Sequence, residues 1–209
     1  MLFDQIINTI EDLNSNTVTE DRKTVLNDLI EYIQDKKNLD EVCHINFICT
    51  HNSRRSHLAQ IWAQTCAAFY NIPKLFCFSG GTEATKLYQT IKDTLEEQGF
   101  IFKIEKKGWN PRFHIYFSNS EKPINGFSKV YDHKVNQVSN FAVVMTCSDA
   151  DENCPIIPGA EKRISVMYED PKFFDKSVLE KEKYKERSLQ IAAEMKYVFS
   201  KIKLNEKEA

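Results

Sequence analysis

The strongest constraint on this chain is a change of texture at Cys43. From there, short apolar runs alternate with amphipathic stretches: "CHINFI" at 43–48, "LFCFSG" at 75–80, "FAVVMTC" at 141–147 and "RISVMYED" at 163–170. Runs that stay apolar without alternating are what a strand needs when both of its faces are covered. Helix-length segments lie between or after them, at about 54–70, at 82–100 ("TEATKLYQTIKDTLEEQGF", with Gly99 as its stop) and at 177–204. Strands separated by helices predict an α/β fold, a four-stranded parallel sheet flanked by helices.

Two segments stand outside this alternation. Residues 1–42 read as a helical N-terminal extension, with Leu2, Phe3, Ile6, Ile7, Ile10 and Leu13 at helical spacing. After "NSNT", Thr19 is placed to cap a second helix that carries Val25, Leu26, Leu29, Ile30 and Ile33 on one face. The expectation is a brace packed on the rest of the chain, or a surface on which a homodimer pairs. Residues 43–209 form the α/β domain proper. Within it, 101–132 is rich in aromatics and turn residues and reads as an inserted hairpin-like segment.

A chain of 209 residues, 42% hydrophobic and 28% charged, has room for an ordinary core. Its formal net charge of −2, with no block of like charge, sets aside nucleic acid and anionic membrane as main partners. No apolar run approaches the ~20 residues that span a bilayer. The opening "MLFDQIINTIEDLN" carries acids where a signal peptide carries lysine or arginine, so a cytoplasmic protein is expected. The six cysteines (Cys43, Cys49, Cys66, Cys77, Cys147 and Cys154) are too sparse for a disulfide-stapled scaffold. They also lack the paired short spacings of a zinc site. No metal and no cofactor is expected.

Cys49 closes the first apolar run, and "CTHNSRRS" carries the chain from it into a helix in the pattern Cys-x5-Arg-Ser. In a parallel sheet, ligands bind beyond the carboxyl ends of the strands. A strand-to-helix loop there gathers backbone N–H groups at the positive end of a helix dipole, which makes an oxyanion site. Thr50, His51, Asn52, Ser53, Arg54, Arg55 and Ser56 make up this loop. Arg55 suits two oxygens of a tetrahedral anion with its planar fork. The same N–H groups favour the thiolate of Cys49, and Ser56 can hydrogen-bond its sulfur. Such a loop binds a phosphate-like anion and aims a nucleophile at its centre. The leaving oxygen then needs a proton donor. "YEDP" offers Asp170 at the end of the fourth run, with Glu169 and Asp175 as neighbouring alternatives. Cys43, Cys66 and Cys77 lie inside strands or a helix and read as core packing.

"FICTHNSRRSHLAQ" resembles the phosphate-binding loop shared by low-molecular-weight protein tyrosine phosphatases and thioredoxin-coupled arsenate reductases. The resemblance continues through "SGGTEAT" (79–85) and "YEDP" (168–171) and covers most of 43–204, though not 1–40 or 101–132. Those families typically have Gly where this chain has His51, and the reductases often have Cys where it has Arg54. The resemblance implies a phosphatase-like catalytic domain with Cys49 as nucleophile, Arg55 on the anion and Asp170 as general acid.

"TCSDADENCP" at 146–155 resembles the redox loop of the reductases, a pair that ordinary low-molecular-weight phosphatases lack. That resemblance implies a relay. Cys49 attacks arsenate, Cys147 attacks Cys49 as arsenite leaves, and Cys154 attacks Cys147, leaving a disulfide for thioredoxin or a similar dithiol to reduce. The alternative is an aryl phosphatase that uses Cys49, Arg55 and Asp170 alone, with Trp109, Phe113, Tyr116 and Phe117 as candidate pocket walls. A non-catalytic oxyanion sensor is the remaining reading, and it has no use for those three groups together.

Overall fold

The computed structural model describes residues 1–14, 17–137, 139–153 and 156–204. The chain runs through α1 (Asp4–Asp12), α2 (Glu20–Asn38), β1 (Cys43–Cys49), α3 (Arg55–Phe69), β2 (Leu75–Gly81) and α4 (Gln89–Glu97). It continues through β3 (Ile101–Lys106), β4 (Arg112–Tyr116), β5 (Ile124–Gly126), β6 (Phe141–Met145) and α5 (Ser148–Asn153). The last elements are β7 (Ala160–Ser165), a 3-10 turn at Pro171–Phe174, and α6 (Glu180–Ser200).

The expected four-stranded parallel sheet is present, in the order β2-β1-β6-β7. β1 lies between β2, which follows it through α3, and β6, which arrives from the far end of the chain. The strand order therefore reverses at β1. Connections leave β1 and β6 in opposite directions there, which opens a crevice at their carboxyl ends. Cys49 ends β1, and Cys147 stands two residues beyond β6.

Ile45, Phe47, Ala142, Val144 and Ile164 of this sheet are buried in the main core. α3 buries Leu58, Ala59, Ile61, Trp62, Ala63, Cys66 and Ala67 in the same core. The Trp62 indole N–H meets its need at Ser188 Oγ of α6, 2.9 Å away. α1 and α2 bury Ile6, Ile10, Leu26, Leu29 and Ile33 in the same core. Thr19 caps α2 by accepting from the Arg22 N–H at 3.4 Å. No described helix is long and apolar enough to cross a membrane.

The segment 101–132 forms a second sheet, antiparallel, in the order β3-β4-β5. Its exit, Phe127–Tyr131, runs back along the edge of the first sheet, where Gly81 and Val130 pair.

Two elements differ from their sequence expectation. The helix read over 82–100 begins only at Gln89, because the residues before it are bonded elsewhere. The Thr82 N–H donates to the Cys49 carbonyl (3.3 Å), the Glu83 N–H to Thr50 (2.9 Å) and the Thr85 N–H to Ser128 Oγ (2.7 Å). Its stop holds, with Gly99 just past the cap at φ +103°. The strand read over 163–170 is Ala160–Ser165. Val166 and Tyr168 still donate to Met145 and Thr146 at 2.9 and 3.2 Å, carrying the chain beyond the sheet's edge toward Asp170.

Candidate active site

The loop after β1 gets its shape from its carbonyls. Those of Cys49, Thr50 and His51 accept from Thr82, Glu83, Thr85 and Ser128, and that of Ser53 accepts from the Tyr88 N–H at 3.1 Å. In a planar trans peptide, the carbonyl of one residue and the N–H of the next point opposite ways. With these carbonyls fixed on 82–88 and Ser128, the N–H groups of Thr50, His51, Asn52 and Arg54 face away from that segment. Asn52 takes the left-handed conformation (φ +44°) that such a reversal requires, one that asparagine tolerates well.

Inside the loop, Ser56 Oγ lies 3.1 Å from Cys49 Sγ and accepts from Asn52 Nδ2 at 2.8 Å. Asn52 Oδ1 in turn accepts from the Lys129 N–H at 3.0 Å. Cys49, Asn52 and Ser56 are all buried, and the sulfur sits beside Ser56 at the start of α3.

The two arginines diverge. Arg55 donates from Nη1 to the Tyr168 carbonyl (3.1 Å) and from Nη2 to Asp170 Oδ2 (2.7 Å). Its buried Nε has no partner among the described residues, a donor left for an acceptor in the loop. Arg54 stacks its guanidinium 4.0 Å over the Tyr88 ring and pairs with Asp175 at 2.5 Å, and its Nε meets the Tyr184 hydroxyl. Tyr184 also bonds Asp175, and burial together with that bond raises its phenol so that it stays protonated. The Arg54 charge is thereby committed to a packed cluster. The His51 side chain is half-exposed, 3.8 Å from Glu83.

Asp170 reaches the loop through Arg55, and its other oxygen caps the 3-10 turn by accepting from the Lys172 N–H at 3.0 Å. The alternative carboxylates are occupied elsewhere: Asp175 by Arg54, and Glu169 by Arg187, at 2.9 Å near the surface. Cys147 is 1% exposed, with its Sγ 3.5 Å from Thr50 Oγ1, and it packs with Cys49 in one apolar cluster around Ile48, Val143 and Met145. Cys154 lies outside the described residues. α5, which leads toward it, is latched to β7 by Asp151, whose carboxylate takes Arg163 Nη2 at 2.5 Å and Ser165 Oγ at 2.7 Å. By contrast Cys43, Cys66 and Cys77 are buried core thiols: burial pushes Cys43 up to about 12 and raises Cys66 and Cys77 as well.

A cleft of about 740 Å³ opens over this arrangement, lined among others by Thr50, His51, Arg55, Tyr168, Asp170 and Phe173. Three features of the surroundings had no sequence signal. Lys129 lies beneath Asn52. Arg22 of α2 binds Glu194 and the Met167 carbonyl behind the Asp170 segment. Asp175 and Tyr184 hold Arg54. All depend on pairings more than 70 residues apart in sequence, which no local pattern announces.

No protein-family model matches the chain. It is 30% identical over 130 residues to "Arsenate reductase 2" of Staphylococcus saprophyticus subsp. saprophyticus, a match covering 61% of this chain and 77% of that protein. It is 31% identical over 130 residues to "Arsenate reductase 1" of the same organism, with the same coverage. In fold, it superposes on a low-molecular-weight phosphotyrosine phosphatase from Vibrio cholerae O395 with a TM-score of 0.51 at 12% identity, over 76% of this chain and 94% of that one.

Proposed function

The chain belongs to the arsenate reductase family, and we propose that this enzyme reduces arsenate to arsenite with Cys49 as nucleophile and Cys147 and Cys154 as a disulfide relay. Arsenate enters the loop of residues 50–56 and is held by backbone N–H groups and the Arg55 fork. The Cys49 thiolate forms a sulfur–arsenic bond while Asp170 gives a proton to the departing oxygen, which leaves as water. Cys147 then attacks Cys49 Sγ. The sulfur–arsenic bond breaks, its electron pair stays on arsenic, and arsenite departs from a Cys49–Cys147 disulfide. Cys154 attacks Cys147, freeing Cys49 and leaving a Cys147–Cys154 disulfide. Thioredoxin or a similar dithiol supplies two electrons and two protons to reset it.

The observation that carries this reading is the buried Cys147, whose Sγ lies 3.5 Å from Thr50 Oγ1 on the first residue of the oxyanion loop. A hydrolase has no use for a second thiol there. Disulfide mapping by mass spectrometry, on reduced protein treated with excess arsenate beside a phosphate control, tests it. A Cys147–Cys154 bridge formed only with arsenate, with arsenite released, is the expected result. Three free thiols after arsenate would overturn it.

The cleft favours a second activity at the same site. At about 740 Å³, with Phe173 91% exposed at its mouth, it has room for an aryl group on the phosphate. Slow hydrolysis of p-nitrophenyl phosphate, abolished by Cys49→Ser and retained in Cys147→Ser, is the corresponding expectation.

A further inference from the structure

A cluster of buried polar side chains that the chemistry above does not use lies against the same loop. Lys129 is at its centre, 2% exposed and not part of the cleft lining. Its Nζ approaches the Phe127 carbonyl at 3.4 Å and Ser79 Oγ at 3.5 Å, and it sits 4.8 Å from the centre of the Phe127 ring. Ser79 Oγ is 3.5 Å from Nδ1 of His57, a fully buried residue of α3. These neighbours are neutral, and among the described residues no carboxylate pairs with Lys129.

The main chain of Lys129 is fastened to the site on both sides. Its N–H holds Asn52 Oδ1 and its carbonyl accepts from the Gly81 N–H at 2.8 Å. From Asn52, the chain of bonds runs through Ser56 Oγ to Cys49 Sγ. An ammonium buried without an anion is costly, and proteins keep such a charge only where something compensates it.

We infer that Lys129 is a built-in counter-cation of the oxyanion loop, a positioning residue whose ammonium form and an anion in the loop stabilise each other. The inference rests on the reading of Cys49–Ser56 as an oxyanion site. Burial, and then Arg112 on β4, pull the Lys129 ammonium down to about 7, so it is divided between its two forms near neutrality. The other titratable groups nearby are His57 on α3, and His133 with Asp132 and Lys134 after Val130. Burial holds His57 neutral and holds His133 low, and Lys129 adds to both effects. Anion binding therefore draws a proton onto Lys129, and by reciprocity protonation tightens the anion.

Sulfate is the probe, a tetrahedral dianion that stays fully ionised across the neutral range. The background is Cys49→Ser, in which the thiol cannot take the proton. Calorimetry in two buffers of different ionisation enthalpy, from about pH 6 to about pH 8.5, should show net proton uptake. Sulfate affinity should fall about tenfold across that range, the change that a one-unit rise in the Lys129 midpoint produces. Adding Lys129→Met should remove both the uptake and the pH dependence. Uptake that persists in the double variant assigns the proton to another group, such as His51, and overturns the inference while leaving the oxyanion loop intact. Absence of sulfate binding at any pH overturns the loop reading, and this inference with it. If Lys129→Met does not fold, ¹³C NMR of lysine Cε in the Cys49→Ser protein reads the same titration in place. The lysine that titrates near neutrality should move its midpoint upward by about one unit with saturating sulfate, and an unmoved midpoint overturns the inference.

Discussion

The guanidinium of Arg55 rests on the carboxylate of Asp170, with 2.7 Å between Nη2 and Oδ2. The group proposed to grip the anion and the group proposed to protonate its leaving oxygen are thus already in register. An oxyanion in the loop competes with Asp170 for the same fork, so the two residues act as a unit. Asp170→Asn should lower kcat for arsenate by about 10²–10⁴-fold, the usual contribution of a placed general acid. Arg55→Ala should lower kcat/KM by about 10²–10³-fold through lost charge stabilisation. The double variant should cost clearly less than the product of the two, as residues working together do. Steady-state assays coupled to reductant consumption measure all three. A multiplicative loss would mean that the pairing has no part in turnover.

Release of the α5 latch should expose the second thiol. Asp151 holds α5 on β7 through Arg163 and Ser165, and Cys147 lies beneath at 1% exposure. Asp151→Asn gives up the charged part of that latch, about 1 kcal/mol for a partly exposed pair. Native-state alkylation of Cys147 should speed up about fivefold through more frequent local opening, with Cys43, Cys66 and Cys77 unaffected. Peptide mapping after a timed pulse of iodoacetamide reads this directly.

Stability should pass through a maximum in mildly alkaline solution, for reasons with opposite sign. The Lys129 ammonium titrates at about 7 in the folded chain, against an ordinary 10.5. Above about pH 7 the unfolded chain binds one more proton there, and stability rises with pH by up to about 1.4 kcal/mol per unit. Cys43, Cys66 and Cys77 act the other way. Burial raises all three, so from about pH 8.5 the unfolded chain gives up thiol protons that the folded chain retains, and stability falls. Urea midpoints of fully reduced protein should therefore climb from about pH 7 to about pH 8 and drop beyond about pH 9. Lys129→Met should remove the climb and keep the drop.

The N-terminal helices should matter to the acid-bearing segment, through Arg22. Its guanidinium grips both oxygens of Glu194 at 2.9 and 2.6 Å and donates to the Met167 carbonyl at 3.1 Å, while Glu194 also takes the Tyr168 hydroxyl at 2.8 Å. Arg22→Ala leaves a carboxylate that is 3% exposed without its cation. The cost should be about 2–3 kcal/mol, at the low side for a broken buried pair because Tyr168 and Gln190 remain on Glu194. Adding Glu194→Gln removes the stranded charge and should recover part of that loss, which chemical denaturation of the two variants tests.

Much of this was legible because it is local. The apolar runs, the Cys-x5-Arg-Ser loop, the Thr19 cap and the Gly99 stop each follow from a few neighbouring residues; the cap and the stop stand where they were read, and the runs form the strands, the fourth shifted to Ala160–Ser165. What was not legible depends on distant pairing. Residues 82–88 have a helix-like pattern, yet the N–H groups of Thr82, Glu83 and Tyr88 are taken by loop carbonyls and that of Thr85 by Ser128 Oγ, and the helix begins only at Gln89. Arg54 reads as a second anion-binding charge beside Arg55, and only the arrival of Asp175 and Tyr184 from the last part of the chain commits it elsewhere. Lys129 carries no mark at all. One lysine in an aromatic-rich excursion looks like a surface residue until the return of that excursion lays it beneath Asn52.

The seam between the two sheets limits where this sequence has room to grow. A Cβ at Gly80 would come within 2.3 Å of Tyr131 Cα, and one at Gly81 within 2.6 Å of the Thr50 carbonyl oxygen, so the return segment and the loop each press on the glycine end of β2 with no slack. At the far tip of the excursion, Gly108 has nothing within 4 Å and Trp109 is 71% exposed. Lineages that diverge from this chain can therefore redecorate the tip at Gly108 and Trp109 freely, whereas Asn110, bonded on both sides to the Ser128 main chain, belongs to the fixed part. The stretch from Phe127 to Tyr131 has to be inherited nearly unchanged in length, since one residue gained or lost there would shift the register against Gly81 and pull the loop away from its sulfur.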